Sequence, residues 1–179
     1  MSDELQDLLD RSFDTASEHL LSIMTPERRL SADRLLRELP CPAVLNIATV
    51  TAAGEPRVSA VDGHFLDGHW YFTTAAESPK ARQLRARPAV SASYTPRDGF
   101  GVFCHGTAVP LEGAEQRMLS EHFAEVYGVP PESLGDITGF RIDAHWLVGF
   151  AMTDAEMIEI EQAAAERTAR RNAERQQQA

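Results

Sequence analysis

The chain has little cysteine, no long apolar run and none of the common nucleophile or phosphate-loop signatures. Two cysteines, Cys41 and Cys104, stand far apart in 179 residues. Such a pair makes no disulfide framework, and two free, partly buried thiols suit a reducing cytoplasm. The apolar stretches are broken by polar residues well before the roughly 20 positions that span a bilayer, so no membrane partner is expected. Met1-Ser2-Asp3-Glu4 is acidic, without the basic-then-apolar order of a signal peptide, and a cytoplasmic location is expected. There is no Gly-x-Ser-x-Gly elbow, no Gly-rich loop ending in Lys-Ser or Lys-Thr, and no Cys-x-x-Cys. Gly99-Phe100-Gly101 lacks the third glycine and the following helix of a dinucleotide fingerprint. The six histidines are scattered, none at the i, i+4 spacing of a helical zinc site, so no metal site is read from spacing. A formal net charge of -10 repels phosphate backbones, and nucleic acid is not an expected partner.

What is present suits one globular domain with appendages: hydrophobic residues make up 43% of the chain. Residues 1–39 read as helical. Leu5, Leu8, Leu9, Phe13, Ala16, Leu20 and Ile23 form one stripe at helical spacing. Pro26 interrupts it, and Ser31 is a candidate N-cap for a second helix ending before Pro40. Residues 40–153 read as mainly β. Ala43 to Thr51 is a strand, Ala52-Ala53-Gly54-Glu55 a hairpin turn, and Pro56 to Phe65 the return strand. Asp67-Gly68 is a turn of the kind that wants positive φ, and His69 to Thr74 a third strand. Ser78 caps a short helix led by Pro79 and stopped by Pro88. Ala89 to Tyr94 and Phe100 to Val109 are two more strands. A helix over Ala114 to Tyr127 precedes closing strands at Ile137 to Ile142 and His145 to Met152. Residues 154–179 form a polar helix or tail. With no alternating βαβ units, this order predicts a mainly β fold with flanking helices, closed as a barrel rather than packed as a sandwich.

One region concentrates anion-binding groups. Thr73 and Thr74 end the third strand, and Ser78 opens a helix whose first N–H groups attract negative charge. Lys80 lies in its first turn, followed by Arg82, Arg85 and Arg87. Hydroxyls, helix N-terminal amides and a cation are what a phosphate needs.

The ordered series Gly54-Glu55-Pro56-Arg57-Val58-Ser59-Ala60-Val61, Asp67-Gly68-His69-Trp70-Tyr71-Phe72-Thr73-Thr74, Ser78-Pro79-Lys80-Ala81-Arg82 and Arg87-Pro88-Ala89-Val90-Ser91 resembles the pyridoxamine 5'-phosphate oxidase-like family. Phe103 to Ala108 is similar to that family's next strand. The resemblance covers roughly Ser31 to Met152. It implies a six-stranded antiparallel split β-barrel of the FMN-binding type, here with extra N- and C-terminal helices. It further implies a homodimer with flavin at the subunit interface and transfer of hydride to or from a small-molecule substrate. By motif position, Arg57, Val58, Ser59 and Ala60 would line the ring and ribityl chain, Tyr71, Phe72, Thr73 and Thr74 would lie beside the ribityl and phosphate, and Ser78 and Lys80 would clamp the phosphate. FMN is the cofactor expected, with the deazaflavin F420 as the alternative if Arg82, Arg85 and Arg87 form a basic groove. A non-catalytic flavin or haem carrier is a further alternative, with His105 or His145 as axial ligand. No catalytic residue is assigned. Tyr94, His105 and Trp146 are candidate pocket liners. The polar C-terminal helix replaces the segment that holds pyridoxal phosphate in the dedicated oxidases, which argues against vitamin B6 oxidation.

Overall fold

Six antiparallel strands close into a barrel in the order β1 (Ala43–Val50), β2 (Pro56–Leu66), β3 (His69–Ala75), β6 (Ile137–Ala151), β5 (Phe100–Pro110) and β4 (Ala89–Arg97). The structure is a computed structural model that describes residues 2–177. Closure runs through the pairing of Asn46 with Ser93 between β1 and β4. Alternation sends Leu45 and Ile47 of β1, Trp70 and Phe72 of β3, and Phe140 and Ile142 of β6 into one core. Glycine or near-glycine geometry makes the tight turns: Asp67 and Gly68 both take positive φ (50° and 85°) between β2 and β3.

The closing segment is one fifteen-residue strand rather than two. Its break in pattern near Asp143 to His145 marks a register shift opposite His105 and Gly106. Gly106 permits it: a Cβ there would lie 2.4 Å from the Asp143 carbonyl oxygen. A bulge, not a turn, interrupts the alternation.

The N-terminal stripe is likewise divided. Helix α1 (Ser2–Asp14) ends where Thr15 turns its hydroxyl onto the Arg11 and Ser12 carbonyls. Ser17 then caps α2 (Glu18–Ile23) by accepting from the Leu20 amide. Local side-chain hydrogen bonding thus wins over the continuing apolar period. Helix α3 (Ala32–Glu38) starts at its expected cap, Ser31. Helix α1 buries Leu5, Leu9 and Phe13 against the barrel, each contributing roughly 1.5–3 kcal/mol. Ser12, 1% exposed, donates to the Leu8 carbonyl at 2.7 Å and accepts from the Leu147 amide of β6 at 2.9 Å. Ser12→Ala strands that buried amide and should lower stability by about 1–3 kcal/mol. A urea unfolding midpoint unchanged from the parent would contradict this.

Helix α4 (Pro79–Ala86) follows β3, and α5 (Gly113–Tyr127) lies between β5 and β6 in sequence. Leu119 packs with Tyr71 and Leu111, and Phe123 meets the His64 ring at 5.7 Å, so α5 roofs the outer side of β2 and β3 at one end. Helix α6 (Asp154–Gln177) is the polar C-terminal helix. Among the described residues no helix is long and apolar enough to cross a membrane.

Candidate functional site

Where α5 stops covering the barrel, the outer face of β1, β2 and β4 lies open. Alternation puts Val44, Asn46 and Ala48 on that face, with Val58, Ala60 and Asp62 opposite them on β2. Val44 is 65% and Val58 72% exposed, an unusual state for valines in the middle of paired strands. Two depressions open on this face.

The first is a polar recess of about 290 Å³ lined by Val44, Ala60, Asp62, Thr73, Thr74 and Lys80, with Val61 at its base. Strand β3 ends in Thr73-Thr74, and the capped start of α4 brings Lys80 beside them. Ser78 Oγ accepts from the Ala81 amide at 3.2 Å and lies 3.2 Å from Thr74 Oγ1. Lys80 is the only lysine in the chain and has no hydrogen-bond or ion-pair partner among the described residues. The helix start offers less than its sequence suggests. Pro79 has no N–H, Ser78 takes the Ala81 amide, and the Arg82 amide bonds the Ser78 carbonyl. The Lys80 amide is left as the free donor of the first turn.

The cations after Lys80 do not extend this recess. Arg82 donates to the Glu77 carbonyl, Arg85 to the Ala76 carbonyl at 2.7 Å, and Arg87 to the Val50 carbonyl at 3.0 Å. They tie α4 to the preceding loop and to β1. Asp62 adds a carboxylate to the recess and acts electrostatically on the nearby Tyr127 hydroxyl. Burial, reinforced by the charges of Asp62 and Cys41, pushes Tyr127 up to about 12, so it stays a neutral donor at physiological pH.

The second depression, about 370 Å³, is mostly apolar. Asn46, Ala48, Ser91 and Ser93 face it from β1 and β4, Val58 borders it, and Phe103, His105 and Trp146 stand along it. Leu20 and Met24 of the N-terminal segment close one side. The His105 ring stacks on Trp146 with centroids 4.8 Å apart and lies 2.8 Å from Ser91 Oγ through Nδ1. Burial, with nearby His145, lowers the His105 pKa, so the ring is neutral at neutral pH.

The structure therefore gathers Ala60, Thr73, Thr74 and Lys80 at one recess, with Ser78 bonded behind Thr74, and puts Val58 at the neighbouring cavity. Other expected residues point elsewhere. Arg57 sits exposed at the hairpin end, paired with Glu55 at 2.6 Å. Ser59 is half-buried and borders neither depression. Phe72 is fully buried inside the barrel, stacked on Phe140 at 5.5 Å. Tyr71 is buried under α5 beside Arg141. Strand β3 pairs with β2 and β6 on its two sides at Tyr71 and Phe72, and neither residue lines either depression. Tyr94 packs toward the core against Trp70 and Phe100, away from both depressions. Sequence reasoning missed Asn46, Ser91, Ser93, Phe103 and Asp62. The one available signal was the period-two outward set on β1, β2, β4 and β5.

A closed six-stranded antiparallel barrel of this strand order, flanked by helices, is a split barrel. The chain belongs to the pyridoxamine 5'-phosphate oxidase family, whose sequence profile matches residues 32–170. Solved structures share the fold. A conserved hypothetical protein from Mycobacterium tuberculosis is 21% identical with a TM-score of 0.60, over 72% of this chain and 89% of that one. A FAD-binding protein from Mesorhizobium loti is 21% identical with a TM-score of 0.54, over 70% and 98%. The haem storage protein HutZ from Vibrio cholerae is 20% identical with a TM-score of 0.53, over 62% and 89%. No curated protein matches the chain.

Proposed function

We propose that this protein is a flavin-dependent oxidoreductase that holds FMN at a homodimer interface and exchanges electrons with a small-molecule substrate. The observation that carries the reading is the unpartnered Lys80 ammonium beside Thr73 and Thr74 in one recess. Lys80 supplies the cation for the phosphate tail. The Thr73 and Thr74 hydroxyls and the Lys80 amide supply donors, and Ser78 holds Thr74 in place. The β2 segment Arg57 to Ala60 offers backbone groups to the ring edge.

A recess of about 290 Å³ lies at the bottom of the roughly 300–1,000 Å³ range of ligand pockets, enough for a phosphate tail but leaving the ring system uncovered. The missing wall is a second copy. The exposed Val44 and Val58, set among the small side chains Ala48, Ala60, Ser91 and Ser93, form an uncovered face against which a second copy can pack, closing the two depressions. Bound flavin supplies the two-electron chemistry, and the protein orients it. His105 and Trp146 then bound the space for the acceptor, the stacked rings offering an apolar wall and one imidazole nitrogen. FMN is preferred over F420 because a polyanionic tail wants free cations, whereas Arg82, Arg85 and Arg87 are turned onto backbone carbonyls.

The absorption and mass spectrum of whatever co-purifies with the full-length protein tests this reading. A yellow chromophore released with the mass of FMN is expected. A Soret band, or a colourless protein that quenches added F420 fluorescence while ignoring FMN, overturns the assignment.

A further inference from the structure

Away from the recess, on the part of β2 that α5 covers, three side chains converge from distant positions. Cys41 precedes β1, His64 lies on β2 and His122 on α5. Cys41 Sγ is 3.3 Å from His64 Nδ1 and 3.2 Å from His122 Nε2, and the two ring nitrogens are 3.1 Å apart. All three ligand atoms fall within 4.8 Å of one another, the only such group among the described residues. The sequence spacing predicted no metal site, because neither histidine pairs with another at helical spacing. The fold creates the group by laying α5 over β2.

Hydrogen bonding does not account for three equal short contacts. A neutral ring nitrogen carries either one proton or one lone pair, so two nitrogens and one thiol make two good hydrogen bonds, not three. A cation removes the difficulty. With metal–nitrogen bonds of about 2.0–2.1 Å and metal–sulfur of about 2.3 Å, three ligands of a tetrahedral ion stand roughly 3.3–3.6 Å apart. The observed triangle is within a few tenths of an ångström of that.

We propose that Cys41, His64 and His122 bind one zinc-class divalent ion, with the fourth coordination position left to water or an exogenous ligand. One thiolate and two imidazoles form a borderline-soft donor set that suits Zn²⁺ and excludes Mg²⁺ and Ca²⁺. Three protein ligands with an open position distinguish the site from a closed structural one. Loading joins the segment before β1, strand β2 and helix α5 through a single ion. The proposal is independent of the flavin reading.

The test uses tag-free full-length protein, stripped with a chelator and kept reduced, titrated with Co²⁺ and then with Zn²⁺. One equivalent of Co²⁺ should give a thiolate-to-cobalt charge-transfer band that one equivalent of Zn²⁺ abolishes. Cys41→Ser should lose the band, and both Cys41→Ser and His122→Ala should weaken Zn²⁺ binding at least about tenfold. Cys41 is exposed, so the stripped Cys41→Ser protein should keep the parent's urea midpoint, which separates ligand loss from misfolding. Absence of stoichiometric binding in the parent overturns the proposal, as does binding that survives unchanged in both variants.

Discussion

Lys80→Ala is expected to weaken FMN binding by roughly 1.5–3 kcal/mol, about 10- to 150-fold in dissociation constant, with the fold intact. Lys80 is the chain's only lysine, stands in the first turn of α4 and has no partner among the described residues to leave stranded. Its removal therefore deletes the proposed contact to phosphate and little else. Thr74→Val should act in the same direction, since Thr74 Oγ1 reaches toward the recess from beside Ser78. Asp62→Asn should act oppositely, strengthening binding by up to about fivefold, because it removes a like charge from the wall of the same recess. Fluorescence titration of FMN into stripped protein measures all three. Unchanged affinity in both Lys80→Ala and Thr74→Val would show that the phosphate tail is held elsewhere.

Val58→Glu is expected to convert the proposed dimer into a monomer and to abolish flavin retention along with it. Val58 is 72% exposed in the single chain and stands beside Ala48 on the uncovered sheet face. A carboxylate there would have to be desolvated against an apolar partner surface, at a penalty of several kcal/mol per chain. The dimer dissociation constant should rise at least about a hundredfold, read by analytical ultracentrifugation at micromolar concentration. The mutation touches nothing in the core, so thermal unfolding of the isolated chain should be little altered. A variant that remains dimeric would move the interface to another face, and a monomeric parent would remove the second wall from the cofactor site.

Much of the barrel was legible from the residues that make turns and caps. Asp67-Gly68, Ser31 and the Ser78-Pro79 pair act locally, so their effect is written at the positions where it is felt. The break between α1 and α2 was missed because apolar spacing continues through it, while the deciding event is the hydroxyl of Ser17 capping Leu20. The recess was read from hydroxyls and a cation adjacent in sequence. The apolar cavity was not, because its floor is Ala and Ser on alternating positions of ordinary strands. Cys41, His64 and His122 were beyond reach: their partners lie 23, 58 and 81 residues away, and only packing of α5 brings them together.

Asp62 stands at the boundary between two neighbourhoods. Its carboxylate lines the Lys80 recess and lies within electrostatic reach of both Tyr127 and His64. A divalent ion held at His64 would offset the charge that Asp62 projects toward an incoming phosphate. Thermodynamic reciprocity then requires that whatever factor the ion adds to flavin affinity, the flavin returns to the ion, with one carboxylate as the broker.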